Sequence, residues 1–258
     1  MSDALSPLLP RVALVTGAGR RIGKAIALAL AQDGFDVALH CSGSVTEAEA
    51  VAESIRALGR RAAVLCADLA CEAEVAPLME RAEAALGPVG VLVNNASTFE
   101  RDEALTATRA GWDFHMEVNL RAPFVLIQEL ARRLPAGAEA VAVNMLDQRV
   151  WNLTPHFTTY TLSKAGLWTL TQSLALALAP RVRVVGVGPG PALPSARQSA
   201  EQFAAQCAGT PLHVGTSPEE ICAALRFALG ARSFTGQMIA LDGGQHLQWA
   251  PGGAAADE

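Results

Sequence analysis

Three side chains that can move protons lie close together in the second half of the chain. Lys164 follows Tyr160, the only tyrosine, by four residues, and Asp147 precedes that tyrosine by thirteen. Residues four apart on a helix project from the same face. An unperturbed phenol, with a pKa of about 10, is a slow acid at neutral pH, and a nearby ammonium lowers that pKa. The spacing therefore predicts acid–base catalysis by Tyr160 tuned by Lys164, rather than two unrelated surface residues.

Asp147 places a carboxylate close to this pair in the sequence, and the simplest alternative to a role in the chemistry is a loop cap.

A glycine-rich segment near the N-terminus predicts an anion site. The stretch "VTGAGRRIGKAIALAL" (15–30) follows an apolar run and continues into a helical pattern. Backbone N–H groups at a helix start attract a pyrophosphate. Gly17 is expected to permit the tight turn, and Gly23 the close approach of helix and strand. A glycine-rich turn alone is weak evidence, but its position after the first strand of a βαβ unit favours dinucleotide binding.

The end of the second predicted strand distinguishes NADPH from NADH. A carboxylate there would bind a free ribose diol and repel a 2′-phosphate. The segment "LHCSGS" (39–44) has no acid and supplies the polar side chains of His40, Ser42 and Ser44. Arg20 or Arg21 could reach the phosphate as a permanent cation. The sequence therefore favours NADPH, with the alternative that His40 only packs the strand end.

Short apolar runs alternate with helical patterns along the chain, and they must position these residues. The predicted strands are 11–15, 36–40, 62–66, 91–95, 140–144, 182–187 and 237–242, and the predicted helices are 22–32, 46–58, 71–86, 118–133, 157–178 and 217–229. Strands that are apolar throughout are covered on both faces. We expect an α/β, single-domain Rossmann fold: a doubly wound parallel sheet of about seven strands with helices on both faces.

Composition restricts the class of protein. The chain has 258 residues, 51% hydrophobic and 17% charged, which suits one domain. A net charge of −5 without large basic clusters argues against nucleic-acid or anionic-membrane partners. The N-terminus does not resemble a signal peptide, and no apolar run could span a membrane. The five cysteines lack metal-binding spacing. We expect a cytoplasmic protein with reduced thiols and no metal site.

These segments together resemble the short-chain dehydrogenase/reductase family over about residues 11 to 245. The motifs are, in order, "TGAGRRIG" (16–23), "ADL" (67–69), "NNAS" (94–97), "VNLRAPF" (118–124), "YTLSK" (160–164), "GPG" (188–190) and "LDGG" (241–244). The resemblance implies catalysis by Asn119, Tyr160 and Lys164 together with Asp147. The implied cofactor contacts are Gly17, Arg20, Arg21, Ile22, Gly23, His40, Ser42, Ser44, Asp68, Leu69, Asn95, Ala96, Ser97, Lys164, Pro189 and Gly190.

Three departures from the ordinary family pattern resemble its pteridine reductase branch, which includes short-chain dihydromonapterin and dihydrofolate reductases. Asp147 stands in place of serine, Arg21 in place of the middle glycine, and Phe99 follows "NNAS". What this implies is NADPH-dependent reduction of a dihydropterin to the tetrahydropterin on a homotetramer. The implied substrate contacts are Arg21, Ser97, Phe99, Asp147 and Tyr160. Taken singly, Arg21 could be a surface ion-pair partner and Phe99 a core residue.

The replacement of the family's serine by Asp147 restricts the type of substrate that the resemblance implies. An ionised carboxylate about 4 Å from a ketone oxygen that gains negative charge would oppose that charge by about 4 kcal/mol at an effective dielectric near 20. That penalty corresponds to nearly a thousandfold in rate, at about 1.4 kcal/mol per decade. A substrate reduced at a C=N bond, with N–H groups that donate to the carboxylate, fits better, and a ketone would require a protonated Asp147.

Two other functions stay open. One is reduction of a ketone or 3-oxoacyl thioester with a protonated Asp147, and the other is an NADPH-binding sensor without chemistry. Gly43 stands where the branch often has an arginine, which weakens the prediction of NADPH. The predicted domain layout is an N-terminal extension (1–10), a reductase domain (11–248) with a substrate lid at about 191–216, and a flexible tail (249–258).

The stretch 165–178, "AGLWTLTQSLALAL", is apolar nearly all round. A helix on the surface of a monomer needs only one apolar stripe. We therefore expect the second face of this helix to meet another subunit, and the alternative is deep burial within one chain.

Overall fold

The structure, a computed structural model, describes residues 5–195 and 198–248. The predicted tail (249–258), the first four residues of the predicted extension and two positions of the predicted lid lie outside this description. Within it, the extension packs against the domain. Leu5 and Leu9 are buried in the main core, and the carbonyl of Leu8 accepts a hydrogen bond from the N–H of Glu139.

The described residues form one seven-stranded parallel sheet. Its strands are β1 (Val12–Val15), β2 (Asp36–Cys41), β3 (Ala62–Cys66), β4 (Val91–Asn94), β5 (Ala140–Met145), β6 (Val182–Pro189) and β7 (Met238–Leu241). The strand order is β3-β2-β1-β4-β5-β6-β7. The direction of winding reverses between β1 and β4, and ligands of such sheets bind outside the carboxyl ends of the strands at this point. The predicted doubly wound fold is confirmed.

Helices cover both faces of the sheet. They are α1 (Arg21–Gln32), α2 (Val45–Ala57), α3 (Glu72–Val75), α4 (Leu78–Leu86), α5 (Arg109–Met116), α6 (Ala122–Arg133), α7 (Thr158–Ala177), α8 (Ala200–Ala208) and α9 (Pro218–Gly230). A π-helical turn (Glu117–Arg121) joins α5 to α6. Apolar residues of α1, α2 and α9 form one core layer, and those of α4 and α6 form the other. Strands buried between two such layers explain the continuous apolar runs of the sequence.

Two predicted helices have different bounds. The predicted helix 71–86 is divided into α3 and α4 because Pro77 lies between them, where a proline removes a helical hydrogen bond and clashes with the preceding turn. The predicted helix 118–133 is preceded by α5, which begins after Thr108, whose side chain accepts from the N–H of Gly111. Trp112 and Phe114 are partly exposed on α5, so its apolar residues do not form a clear stripe.

Helix α8 was not predicted. It lies within the predicted lid and begins at a capping box in which Ser199 and Gln202 exchange side-chain and backbone hydrogen bonds. Ser199 followed three residues later by Gln202 is a sequence signal of such a start that the prediction did not use, and no residue of α8 is buried.

Helix α7 has one buried and one exposed face within this chain. Leu167, Thr171 and Ala175 are buried, whereas Leu162 is 45% and Leu176 is 84% exposed. Deep burial of the whole helix within one chain is therefore excluded, and contact with another subunit stays a prediction. Among the described residues, no helix combines the length and apolar character needed to cross a membrane.

Candidate active site

A cleft of about 260 Å³ opens at the carboxyl ends of the central strands, beneath α8. Ten of the predicted site residues line it: Arg21, Ile22, Asn95, Ser97, Phe99, Asp147, Tyr160, Lys164, Pro189 and Gly190. The segment after β6 and α8 supply much of the remaining wall, including Leu193, Ser195 and Phe203. The fold thus brings predicted site residues separated by up to 169 positions (Arg21 to Gly190) to one cavity.

The phenol of Tyr160 and the carboxylate of Asp147 are directly bonded. The Tyr160 hydroxyl donates to Oδ2 of Asp147 at 2.8 Å. The other carboxylate oxygen, Oδ1, accepts from the N–H of Arg149 at 2.8 Å, because Asp147 caps the short 3₁₀ helix Gln148–Val150. This backbone bond fixes the carboxylate beside the phenol, and both line the cleft.

Lys164 lies beneath the same pair. Its side chain is 2% exposed, and its Nζ donates to the carbonyl of Met145 at 2.8 Å. Nζ lies 5.8 Å from the centre of the Tyr160 ring. Burial lowers the pKa of Lys164 to about 8, although the charge of Asp147 acts in the opposite direction. A cation in this position stabilises a phenolate and is itself able to lose its proton in the mildly alkaline range.

Asn119 supports the site from below. The Asn119 amide donates to the carbonyl of Thr98 and to Oγ of Ser163, each at 3.0 Å, and its oxygen accepts from the N–H of Thr98 at 2.9 Å and from Oγ of Ser97 at 3.1 Å. Both donors and both acceptor positions of the amide are therefore used within the protein. The amide thus holds Ser97 and Thr98 in place, and a catalytic role for Asn119 stays a prediction.

Phe99 belongs to an aromatic cluster that the sequence did not reveal. Its ring stacks on Phe157, with centroids 4.3 Å apart and planes at 7°, and meets the Tyr160 ring edge-on at 4.6 Å. Phe157 has a left-handed backbone conformation, with φ of 58°, immediately before α7. The guanidinium of Arg149 lies 5.2 Å from the Phe99 centroid and 5.0 Å from that of Phe157. No spacing rule identifies Phe157 or Arg149, because only the meeting of two loops makes them neighbours of Phe99.

The glycine-rich turn has the geometry expected of an anion site. Gly17 has φ of 63°, which favours glycine. A Cβ on Gly23 would lie 2.2 Å from the Gly17 carbonyl oxygen, so only glycine lets α1 approach the turn this closely. The residue before α1, Arg20, makes no side-chain cap. The first N–H groups of the helix are thus left uncapped by that side chain, which suits a bound anion.

The remaining residues of the predicted cofactor site surround this turn. Asn95 donates from Nδ2 to the carbonyl of Thr16 at 2.8 Å, and the N–H of Ala96 donates to the Thr16 hydroxyl at 3.0 Å. Ser42 is exposed and Ser44 half-buried at the end of β2. Arg20, Asp68 and Leu69 do not line the cleft. Arg20 is exposed 3.9 Å from a carboxylate oxygen of Glu47, Asp68 is exposed, and Leu69 is buried in the core.

His40 differs from the prediction. It is buried, its Nδ1 accepts from the N–H of Gly17 at 3.2 Å, and its Nε2 bonds to the carbonyl of Ala67 at 3.1 Å. Burial lowers the pKa of the imidazole, which favours the neutral ring that this bonding requires. Because both nitrogens are used within the protein, His40 braces the glycine turn and does not offer a donor to a phosphate.

Arg21 connects the glycine turn to the predicted lid. It has φ of 53°, and its guanidinium donates to the carbonyl of Pro194 at 2.8 Å and to that of Leu193 at 3.2 Å. Arg21 lines the cleft as expected, but in this structure its hydrogen bonds go to the segment that follows β6. This contact could not be read from the sequence because the partners are backbone carbonyls 172 and 173 positions away.

A family model and two known proteins are similar to this chain in sequence. A family model described as short chain dehydrogenase matches residues 11–204. A 3-oxoacyl-[acyl-carrier-protein] reductase FabG from Aggregatibacter actinomycetemcomitans is 35% identical over 241 residues, covering 90% of this chain and 97% of the relative. A short-chain type dehydrogenase/reductase from Picea abies is 36% identical over 173 residues, and the match spans 64% of that protein's length.

Two solved structures share both the fold and much of the sequence. FolM alternative dihydrofolate reductase 1 from Brucella suis, in complex with NADP, has 47% identity and a TM-score of 0.90, covering 95% of this chain and 97% of the other. FolM alternative dihydrofolate reductase 1 from Brucella canis, complexed with NADP, has 45% identity and a TM-score of 0.92, covering 97% and 100%.

Proposed function

This chain belongs to the short-chain dehydrogenase family, and from that membership we propose that it is an NADPH-dependent reductase of dihydropterins, of the dihydrobiopterin, dihydromonapterin or dihydrofolate type. The product is the tetrahydropterin, formed by hydride transfer to a C=N bond. The observation that carries the proposal is the hydrogen bond from the Tyr160 hydroxyl to the Asp147 carboxylate inside the cleft.

The residues around the glycine turn fit NADPH. The turn is free of side chains at Gly17, α1 presents its N-terminus there, and the end of β2 carries no carboxylate. The structural relatives named above were solved with NADP. The cofactor would rest on the turn from Gly17 to Gly23, on the strand end from Asn95 to Ser97 and on Pro189 and Gly190, with Lys164 at the nicotinamide ribose. When bound, it supplies the hydride.

Asp147 and Tyr160 supply complementary groups for a nitrogen heterocycle. The single hydroxyl proton of Tyr160 points to Asp147 in this structure. Delivery of that proton to a ring nitrogen requires the hydroxyl to turn toward the substrate, and Asp147 is then available to accept from an N–H of the same ring. The proton from Tyr160 and the hydride together convert C=N to CH–NH. Lys164 stabilises the phenolate that remains.

Phe99 supplies a surface for a flat ring. Its ring lines the cleft, and one of its faces is covered by Phe157. A pterin stacked between the Phe99 ring and the nicotinamide would gain about 0.5–1.5 kcal/mol beyond burial. Ser97 and Arg21 lie at the same cleft and complete the proposed substrate contacts.

Steady-state assays with Asp147→Ser test the proposal. Serine restores the ordinary family residue, so we expect the loss in kcat/KM for dihydropterins to exceed the loss for an activated ketone or acetoacetyl thioester by tenfold or more, about 1.4 kcal/mol of selective stabilisation. Asp113→Ser, which changes an exposed carboxylate paired with Arg109, is the control. Absence of pterin turnover by the unaltered protein, or equal losses on both substrate classes, would contradict the proposal.

Reduction of a 3-oxoacyl thioester is the second candidate, and the similarity to FabG proteins favours it. It requires Asp147 to be protonated, because an ionised carboxylate would oppose the charge that develops on a ketone oxygen. The same assays separate the two candidates: turnover of acetoacetyl thioester with none of dihydropterins would establish the second. A sensor without chemistry is distinguished by Tyr160→Phe, which would leave its behaviour unchanged.

We also propose a homotetramer, supported by the exposed apolar face of α7 that Leu162 and Leu176 share. The measurement is the mass of the protein in solution. A monomeric mass at working concentrations would contradict the proposal.

A further inference from the structure

A second buried histidine lies directly behind the catalytic tyrosine. His115 belongs to α5, is 1% exposed, and its ring meets the Tyr160 ring edge-on at 6.1 Å. It does not line the cleft and takes no part in the chemistry proposed above. Both of its nitrogens are nevertheless bonded to residues adjacent in sequence to Phe99 and Tyr160, which gives this side chain a structural role at the site.

The two nitrogens of His115 reach two different segments. Nε2 accepts from the N–H of Glu100, the residue after Phe99, at 3.1 Å. Nδ1 lies 2.7 Å from Oγ1 of Thr159, the residue before Tyr160. One imidazole therefore connects the loop that carries the aromatic surface to the helix turn that carries the phenol.

The tautomer of His115 follows from which of its partners can donate a hydrogen bond. A backbone N–H can only donate, so Nε2 of His115 carries no proton and Nδ1 carries one, which is donated to the Thr159 hydroxyl. That hydroxyl in turn donates to Oδ2 of Asp102. Burial lowers the pKa of His115, against the opposing charges of Asp102 and Glu100, which is consistent with a neutral ring.

Asp102 completes the connection between the same two segments. Its Oδ1 accepts from the N–H of Thr159 at 3.2 Å, and its carbonyl accepts from the N–H of Phe157 at 2.8 Å. Asp102 thus satisfies N–H groups at the start of α7, where helix donors have no internal partners. The loop with Phe99 and the first turn of α7 are joined by His115, Thr159 and Asp102, and we refer to these three residues as the His115 network.

We propose that His115 is a positioning residue, and that the His115 network sets the spacing between Phe99 and Tyr160 so that a flat ring against Phe99 presents its nitrogen to the phenol. The proposal rests on the proposed function for the nature of that ring. Small displacements of a reacting group lower rates steeply, which is why such a network affects turnover without touching the substrate.

Substitution at Thr159 tests the proposal with a matched pair. Thr159→Val keeps the shape and removes the hydroxyl, whereas Thr159→Ser keeps the hydroxyl. For Thr159→Val we expect KM for the dihydropterin to rise about tenfold and kcat to fall about tenfold, as expected when buried partners are left unbonded. Thr159→Ser should stay within about threefold of the unaltered protein, and the dissociation constant of NADPH should change less than about twofold in both variants.

The single tyrosine supplies a readout that does not depend on turnover. Protein carrying tyrosine labelled with ¹³C at the phenolic carbon gives one NMR signal, from Tyr160. We expect Thr159→Val to shift and broaden this signal and Thr159→Ser to leave it unchanged. If the unaltered protein does not reduce dihydropterins, the proposed function fails while the signal still tests the network.

His115→Asn separates the two connections and serves where Thr159→Val does not fold. Asparagine keeps a donor near the position of Nδ1 and removes the acceptor for Glu100. KM for the dihydropterin should rise about tenfold, with kcat within about threefold, because only the connection to the Phe99 loop is lost. A folded variant of either kind with unaltered KM and an unaltered Tyr160 signal, or with only a lowered melting temperature, would overturn the proposal.

Discussion

The two halves of the cleft are braced by histidines of opposite tautomer. In the cofactor half (the glycine turn 16–23 and the ends of β2 and β3), His40 accepts at Nδ1 from Gly17 and bonds at Nε2 to the carbonyl of Ala67. In the substrate half (the loop 97–103, the 3₁₀ helix Gln148–Val150 and the first turn of α7), His115 accepts at Nε2 and donates at Nδ1. Both rings are buried, and burial lowers the pKa of each.

The partners of these histidines reveal how the halves differ. His40 joins backbone to backbone, so the cofactor half depends on how closely chain segments approach one another. His115 reaches α7 through the side chains of Thr159 and Asp102, and the groups facing the substrate are also side chains. NADPH binding should therefore be sensitive to atoms added in the cofactor half, whereas turnover should be sensitive to functional groups removed from the substrate half.

The largest effect is expected from Tyr160→Phe, which removes one oxygen from the substrate half. Loss of a general acid lowers kcat by about 10²–10⁴-fold. The dissociation constant of NADPH should change less than about twofold, because the hydroxyl donates to Asp147 on the substrate side of the cleft. Single-turnover rates and a fluorescence titration with NADPH measure the two quantities.

A variant on another helix controls for that change. Ser54→Ala removes an exposed hydroxyl of α2 that donates to the carbonyl of Ala50, and it should leave both quantities unaltered. Retention of turnover in Tyr160→Phe, or an equal loss of NADPH affinity, would mean that the two halves are not separable in this way.

Gly23→Ala tests the cofactor half by adding an atom instead of removing one. The added Cβ would lie 2.2 Å from the Gly17 carbonyl oxygen and 2.6 Å from Nδ2 of Asn95. Overpacking of this kind costs about 1–3 kcal/mol, or roughly a 5- to 150-fold loss if it is expressed as NADPH affinity. Binding titration and thermal unfolding measure how the cost divides.

Gly111→Ala is the control for that substitution, because its Cβ would meet only the Thr108 hydroxyl oxygen at 3.4 Å, an ordinary contact. In the first turn of α5 the change should leave the stability unaltered or raise it by up to about 1 kcal/mol. Unaltered NADPH binding by a folded Gly23→Ala protein would refute the view that close backbone approach builds the cofactor half.

The sequence predicted most of the cofactor half because its requirements are local. Gly17 and Gly23 follow a strand and open a helix, so a positive φ and a close approach could be anticipated from residue type and position. The strands were predicted because burial on both faces leaves a continuous apolar run. His40 was placed correctly at a strand end, but its partners Gly17 and Ala67 come from other segments, so its supporting role appeared only in the structure.

The substrate half was predicted in part. Tyr160 and Lys164 share a helix face by spacing alone, and Asp147 was expected beside them from the chemistry that an acid there would favour. The stack of Phe99 on Phe157 and the position of His115 depend on which loops meet, and short-range patterns do not encode that. Helix α8 is different, because the capping box of Ser199 and Gln202 is a local signal that the prediction did not use.

Lys164 belongs to both halves, and its titration is the smallest of the expected effects. Burial lowers its pKa from an ordinary value of 10.5 to about 8. Because Lys164 is charged only while it is protonated, its positive charge is present below about pH 8 and is lost as the pH rises through that value. The ratio kcat/KM for NADPH reports ionisation of the free enzyme and should fall about tenfold per pH unit above about 8.

Asp147→Asn sharpens that test, because the charge of Asp147 raises the pKa of Lys164. Removing the charge should move the alkaline fall to lower pH, whereas Asp113→Asn, which changes an exposed carboxylate, should not move it. A profile that stays flat to about pH 10 would mean that Lys164 keeps its proton in the working enzyme, contrary to the effect of burial. A fall that moves equally in both variants would trace to net charge rather than to the Asp147–Lys164 pair, and the coupling of the two halves through this lysine would be lost.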